Sequence, residues 1–320
     1  MPEAHFLVTG GAGFIGSHLV ERLLGEGHQV TVIDNFSTGS RENLRAVETH
    51  PQLTVIEARV SRCPRLEQVV SRATAVFHLA AAVGVELVVT SPIATIQTNL
   101  DETEAILAAA AESGRPVLVT STSEVYGKSQ KEEFSEGDDL VIGPPHLGRW
   151  SYACSKLMDE FLALAYFQER GLPVSIVRLF NTVGPRQTGR YGMVLPRFIA
   201  AAREGRPLRV FGDGQQSRCF CEVSDTVEAL VRLMNCPAAR GQVFNVGGTE
   251  EVSVESLARR VIHLLASPSG IEFVPYDEAY APGFEDMRRR RPSVDKLDRV
   301  AGFRPATSLD RIIARAAGLA

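Results

Sequence analysis

The sequence predicts an α/β fold, a doubly wound parallel sheet in a chain whose two lobes share a cleft. Three observations carry this. The stretch FLVTGGAGFIGSHLVERLLGEGHQVTVIDN reads as strand, glycine turn, helix and strand. Short apolar runs continue to alternate with helical segments up to about residue 180. With 320 residues, 44% of them hydrophobic, the chain can bury one large core or two closely joined ones.

Taken in order, Phe6-Leu7-Val8 opens the first strand, and Gly10, Gly13 and Gly16 follow with the spacing GxxGxxG. Such a turn lets a pyrophosphate approach the N-terminal end of a helix, where unpaired amides and the helix dipole favour negative charge. Ile15, Leu19, Leu23 and Leu24 have helical spacing, and Val30-Thr31-Val32-Ile33 forms the second strand. Asp34 ends that strand, where its carboxylate can accept both ribose hydroxyls of an adenosine. It would repel a 2′-phosphate, which favours NAD over NADP, although Arg41 lies close by in sequence. The alternation then runs through LTVIEARV, TAVFHLAAAV, a helix from Ile93 to Glu112, PVLVTSTS, a helix around Lys156 to Tyr166, and VSIVRLFN. His78, inside a buried-strand pattern, reads as a satisfied core residue. Asn99 is either a helix-packing polar group or a cofactor contact. The candidate cofactor set is Gly10, Gly13, Phe14, Ile15, Gly16, Asp34, Asn35, Leu79, Ala80 and Asn99, joined by Tyr152 and Lys156.

Charge and cysteines narrow the function classes. Lys plus Arg number 34 against 38 Asp plus Glu, a formal net charge of −4, so the chain lacks the broad positive field that nucleic acid requires. The run GFEDMRRRRPS does not change this, because a polyanion patch needs more basic residues than one run supplies. Met1 leads into Phe6-Leu7-Val8 without the features of a signal peptide, and no stretch is long enough to span a bilayer, so a cytoplasmic protein is expected. Cys63, Cys154, Cys219, Cys221 and Cys236 form neither an even disulfide set nor paired CxxC motifs, although Cys219 and Cys221 would share one face of a strand. They read as reduced packing residues, and no metal site is expected.

The segment SYACSK places Tyr152 and Lys156 four residues apart on one helix face, after TSTSEVYG at a strand end. A lysine ammonium one turn away, together with an oxidised nicotinamide, stabilises phenolate and draws a tyrosine toward the range of a general base. Ser121, Thr122 and Ser123 lie between this pair and the glycine motif. With TGGAGFIGSHL, STSEVYG, YACSK, RLFNTVGPR, VFGDGQQSR and RRRRPSV, the chain resembles the extended short-chain dehydrogenase/reductase family from about Phe6 to Arg311. These enzymes oxidise, rearrange and often re-reduce nucleotide-activated sugars. One departure is Arg59 in EARV, where the family usually has an Asp contacting the adenine ring, so adenine recognition must differ locally.

The resemblance implies a Rossmann domain from residues 1–180 plus about 217–247, with a smaller, interleaved nucleotide-sugar domain from about 181–216 plus 248–320. It places Arg218 at the diphosphate and Phe211 beside the nucleobase, with Asn181, Arg186, Val194 and Arg290 completing the substrate set. It also implies a homodimer paired through the helices that follow Pro92 and Ser151.

Oxidation at C4 is common to three reactions. A 4-epimerase needs no carboxylate at Glu124, whereas the 4,6-dehydratases use an Asp-Glu pair, here replaced by Ser123-Glu124. A decarboxylase starts from a C6 carboxylate, which becomes β to the C4 ketone and can leave as carbon dioxide. The Ser-Glu pair is similar to that of UDP-glucuronate decarboxylases, in which an arginine two residues before the proline, here Arg290, lies near the sugar carboxylate. The candidate catalytic residues are therefore Tyr152, Lys156, Thr122, Ser123, Glu124 and Arg290. The other three arginines are expected to face solvent or pair with acids such as Glu285. The expected function is NAD-dependent decarboxylation of UDP-glucuronate, with a UDP-sugar 4-epimerase as the alternative, and a 4,6-dehydratase or a non-catalytic NAD-binding sensor behind it.

Overall fold

The computed structural model describes residues 3–83, 91–188, 193–279 and 287–319. The strands in chain order are β1 (His5–Thr9), β2 (Gln29–Asp34), β3 (Leu53–Glu57), β4 (Ala75–His78), β5 (Val117–Thr122), β6 (Val174–Leu179), β7 (Thr182–Val183), β8 (Leu208–Phe211), β9 (Ser217–Cys219), β10 (Cys221–Glu222), β11 (Gln242–Val246), β12 (Glu251–Ser253) and β13 (Ile271–Val274). The helices used below are α1 (Phe14–Gly25), α2 (Leu66–Arg72), α3 (Pro92–Ser113), α4 (Trp150–Arg170), α5 (Val194–Arg203), α6 (Val223–Met234), α7 (Val254–Leu264), α8 (Tyr276–Ala279), α9 (Asp295–Ala301) and α10 (Leu309–Ala316).

Seven parallel strands form the main sheet in the order β11-β6-β5-β4-β1-β2-β3. Parallel sheets carry helices on both faces, so their strands are apolar on both sides. Period-two alternation sorts these side chains. Phe6, Val8, Val32, Phe77, Leu118, Val177 and Phe244 face one layer with α1 and α6. Leu7, Ile33, Val76, Val119 and Ile176 face the other with α2, α3 and α4, through Val70, Ile106, Leu107 and Ala163. The expected doubly wound parallel sheet is present.

A second apolar cluster gathers Leu195 and Phe198 of α5, Leu208 and Val210 of β8, Leu257 and Val261 of α7, and Ile312 and Ile313 of α10. Its short sheets pair β8 with β13 in parallel and β9 with β12 antiparallel. The chain passes to and fro between the two clusters. Residues 217–219 pair with β12 and Phe220 packs in the second cluster, while β10 pairs with β7 and α6 returns to the main sheet. Cys219 and Cys221 therefore sit in two different strand pairs on either side of Phe220, not on one strand face. All five cysteines are free, and no cluster of metal-ligating residues occurs among the described residues. No described helix is long and apolar enough to cross a membrane.

Candidate active site

The carboxyl ends of β5, β4, β1 and β2 lie side by side along one edge of the sheet, the edge at which open parallel sheets hold ligands. At that edge lies the turn from β1 into α1. Gly10 has φ +69°, and a Cβ there would lie 2.8 Å from Ala80 N. A Cβ on Gly16 would lie 2.1 Å from Gly10 O, so α1 can start this close to the turn only with glycine. Gly13 caps α1 without a side-chain bond, and no acid occupies the first turn, so the amides and dipole of that end are available to an anion. Phe14 and Ile15 follow, half-buried.

Asp34, at the end of β2, is buried and accepts Ala12 N at 2.9 Å and Phe36 N at 2.8 Å, one amide on each oxygen. Burial raises its pKa, and the two amides oppose the rise. Each oxygen keeps capacity for one more donor, as two ribose hydroxyls require. Asn35 is exposed and turns its Oδ1 to Ser37 N at 3.0 Å. Arg41 stacks over Phe36 at 4.4 Å and pairs with Glu57, which answers its charge. Arg59 is exposed and donates to Thr98 on α3 at 3.0 Å. Leu79 N and Ala80 N bond to Thr9 at 3.1 Å and 3.2 Å, which fixes the loop after β4 against β1. Asn99 is a buried bracket: it donates to Ser155 Oγ at 2.9 Å and accepts Ala82 N at 2.8 Å. His78 is satisfied by Thr9 at 2.8 Å and Thr103 at 3.2 Å, and burial drives its pKa down to about 3. The glycine cradle, the uncapped helix end and Asp34 together fit a dinucleotide.

Thr122 ends β5, accepts Glu124 N at 3.2 Å and is hydrogen-bonded to Tyr152 on α4. Ser123 is buried, and its Oγ has no hydrogen-bond partner among the described residues. Lys156, the cation expected to favour a Tyr152 phenolate, has a carboxylate partner of its own: its Nζ donates to Asp159 Oδ2 at 2.7 Å, with both side chains almost wholly buried. The Tyr152 pKa is pushed well above its ordinary value by burial first, then by the charges of Glu124 and Asp159. The Thr122 bond and Arg290 pull the other way.

Glu124 meets the arginine run, from 166 residues away in sequence: Arg290 Nη2 donates to Glu124 Oε1 at 3.1 Å. The segment 287–293 is extended and stitched on both sides. Ser217 N donates to Arg288 O at 2.9 Å, Phe134 N to Arg291 O at 2.9 Å, and Ser293 N to Phe134 O at 2.8 Å. Within it Arg290 is buried, and its Nε lacks a hydrogen-bond partner among the described residues. Arg289 forks onto Glu251 at 2.8 Å and 2.9 Å, Arg291 pairs with Glu133 at 3.2 Å, and Arg288 is exposed. The partners are thus Glu251 and Glu133, while Glu285 lies outside the described residues.

The other substrate candidates are more dispersed. Asn181, with φ +24°, donates to Cys219 O at 3.0 Å. Val194 starts α5 against the second cluster, and Phe211 lies under Arg197 at 4.4 Å. Arg218 is buried, and its Nη1 holds Ser217 O at 2.7 Å and Met287 O at 2.8 Å, so it also anchors the arginine segment. Arg186 is turned to α1, donating to Ser17 Oγ at 3.0 Å and Glu21 Oε1 at 2.6 Å; it straps the loop after β7 to that helix. Two residues were missed from the sequence. Asp159 stands three positions after Lys156, a spacing that alone signals a helical ion pair. Arg197 gave no signal beyond its place on an amphipathic helix.

The model of the NAD dependent epimerase/dehydratase family matches residues 6–247. The UDP-N-acetyl-alpha-D-glucosaminuronate decarboxylase of Bacillus cytotoxicus is 43% identical over 95% of this chain and 94% of its own. UDP-glucuronic acid decarboxylase 1 of Danio rerio is 36% identical over 95% of this chain and 69% of its own. Among solved structures, the UDP-N-acetylglucosamine 4-epimerase of Methanobrevibacter ruminantium, in complex with UDP-N-acetylmuramic acid, superposes with a TM-score of 0.90. It is 28% identical and covers 100% of this chain and 98% of that one.

Proposed function

The chain belongs to the NAD-dependent epimerase/dehydratase family, and from that premise we propose that it decarboxylates a UDP-hexuronate, either UDP-glucuronate or its 2-acetamido counterpart, through a 4-keto intermediate. The observation that carries this reading is the Arg290–Glu124 pair at 3.1 Å, on the same site as Tyr152. A sugar carboxylate entering a partly dehydrated cleft needs a cation, and a guanidinium can meet it with two parallel hydrogen bonds. An epimerase acting on neutral sugars has no use for that cation. A dehydratase needs an acid where this chain has Ser123.

The glycine turn and the N-terminal end of α1 would hold the pyrophosphate of NAD, and Asp34 the adenosine ribose. Bound there, NAD would supply a hydride acceptor for the hydrogen on C4 and a donor for its return. Tyr152, as phenolate, takes the C4 hydroxyl proton, with Thr122 orienting the phenol. The ketone at C4 is then β to the carboxylate that Arg290 positions, and the C5–C6 bond electrons pass toward the C4 oxygen as carbon dioxide leaves. Glu124, beside Arg290, relays to C5 a proton taken up from solvent, the one proton that loss of carbon dioxide consumes. Tyr152 gives its proton back to the C4 oxygen when the ketone is reduced. The smaller lobe, with Val194, Phe211 and Arg218, takes the nucleotide end of the substrate.

Incubation with a panel of UDP-sugars followed by mass spectrometry tests this directly. Loss of carbon dioxide from either UDP-hexuronate supports the reading. An unchanged mass with interconversion of UDP-glucose and UDP-galactose would make the enzyme a 4-epimerase.

The protein is further proposed to be a homodimer. Cys154, Met158 and Phe161 of α4 are exposed at helical spacing beside exposed Ile93 and Ile96 of α3, and a second copy would cover them. Five free cysteines suit the reducing cytoplasm.

A further inference from the structure

We infer that Asp159 is a positioning residue, which holds the Lys156 ammonium on the flank of α4 and through it governs when Tyr152 can serve as the base. The inference deepens the reading above, since it rests on Tyr152 being that base.

The geometry is unusual for a surface-style i,i+3 pair. Lys156 Nζ lies 2.7 Å from Asp159 Oδ2, and the two side chains are 3% and 0% exposed. A buried charge is tolerated only when paired, so each of these groups fixes the place of the other. The pair stands between two sets of neighbours. On one side are groups with no charge to offer. Thr103 of α3 is hydrogen-bonded to Asp159, and His78 of β4 touches Thr103 at 3.2 Å. His78 is neutral because burial, aided by the Lys156 charge, drives its pKa down to about 3. Glu160, the next residue on α4, is already claimed by Arg178 at 2.7 Å and by Ser121 at 2.5 Å. On the other side is Tyr152, which also faces Glu124 from the turn after β5, Arg290 from the extended segment, and the Thr122 hydroxyl.

Lys156 therefore has one carboxylate for a partner, and the field it exerts on the phenol is cut by that carboxylate. The negative charge of Asp159 opposes phenolate directly, and its grip on Lys156, one helical turn from Tyr152, offsets the cation that would favour phenolate. Both effects have the same sign. A weaker Asp159 gives a more acidic Tyr152.

The test is an optical titration of the tyrosine phenolate in the NAD-bound enzyme, taken as the difference from Tyr152→Phe so that only Tyr152 is seen. Because it needs no turnover, a failed decarboxylation assay leaves its result intact. Asp159→Asn should lower the midpoint by about one pH unit. The acid limb of the kcat/KM profile should move with it. An unmoved midpoint with only a lower melting temperature would overturn the inference and leave Asp159 a packing residue. If Asp159→Asn does not fold, the cycle is completed with Asp159→Val in a Lys156→Met background, where both buried charges are replaced together. In that background only the direct effect of Asp159 remains, so Asp159→Val should lower the midpoint by clearly less than about one pH unit. A downward shift of about one unit or more there would mean that Asp159 acts on Tyr152 wholly without Lys156, which overturns the positioning role.

Discussion

Replacing Arg290 separates its task from those of the arginines around it. Its guanidinium is buried and donates to Glu124 at 3.1 Å, while its Nε has no hydrogen-bond partner among the described residues. Arg290→Ala leaves the Glu124 carboxylate without this cation and gives an incoming sugar carboxylate none. Losing the cation that meets a desolvated carboxylate costs about 2–5 kcal/mol of binding, which in kcat/KM is roughly thirtyfold to a few thousandfold. Arg290→Lys keeps the charge but not the fork, and loses about one charge-assisted hydrogen bond, about 1.5–3 kcal/mol or roughly ten- to a hundredfold. The assay is carbon dioxide release from UDP-glucuronate and its 2-acetamido counterpart, with NAD affinity measured in parallel. Arg288→Ala is the control, because Arg288 is exposed and should be silent. Near-normal decarboxylation in Arg290→Ala, or equal losses of decarboxylation and NAD affinity, would refute the reasoning.

Tyr152→Phe should lower turnover by about a hundred to ten thousandfold while leaving the melting temperature unchanged, since only the phenol oxygen is lost. Asp34→Asn should weaken NAD binding, seen by calorimetry, and remove part of the pH dependence of stability in the cofactor-free protein. The sign follows from linkage. Burial raises the Asp34 pKa, so the folded state binds more protons than the unfolded one between the ordinary carboxylate value and the raised value, and stability falls as pH rises through that window. Denaturant midpoints across acid pH should fall less steeply in Asp34→Asn. Phe161→Asp should convert a dimer to a monomer in light scattering and raise alkylation of exposed Cys154, whereas Cys219 and Cys221 stay unreactive because burial pushes both thiols up to about 12.

The parts of this molecule that were legible in its sequence are those whose physics is local. The glycine turn could be read because Gly16 meets the backbone of Gly10 within one strand-turn-helix unit, and the sheet because apolar runs of the right length follow one another. His78 could be read as core from its strand alone. Glu124 and Arg290 lie 166 positions apart, and no periodicity connects them; only resemblance to a family suggested that they share a site. Arg186 and Arg218 illustrate the limit from the other side. A guanidinium serves equally as ligand or as strap, and nothing in the residues around Arg186 announces that Glu21, 165 positions away, will take it. Asp159 was within reach of the sequence, since its spacing from Lys156 is helical. Spacing alone does not show that the pair is buried, and most i,i+3 ion pairs lie on the surface.

The arginine segment is fixed by backbone bonds at Arg288 on one side and at Arg291 and Ser293 on the other, with two residues free between the anchors. Its chemistry therefore depends on counting. Any of the three outer arginines can change to another residue, and the surface charge will drift while Arg290 keeps its path to Glu124. A single-residue insertion or deletion between Met287 and Pro292 leaves the composition nearly the same, but it must either break a backbone anchor or turn a different side chain toward Glu124. Four consecutive arginines soften that outcome, because the residue brought into the inner position by a slip of one is again an arginine. A frame error that would remove the cation from most sequences leaves one here, at the cost of a strained backbone rather than a missing charge.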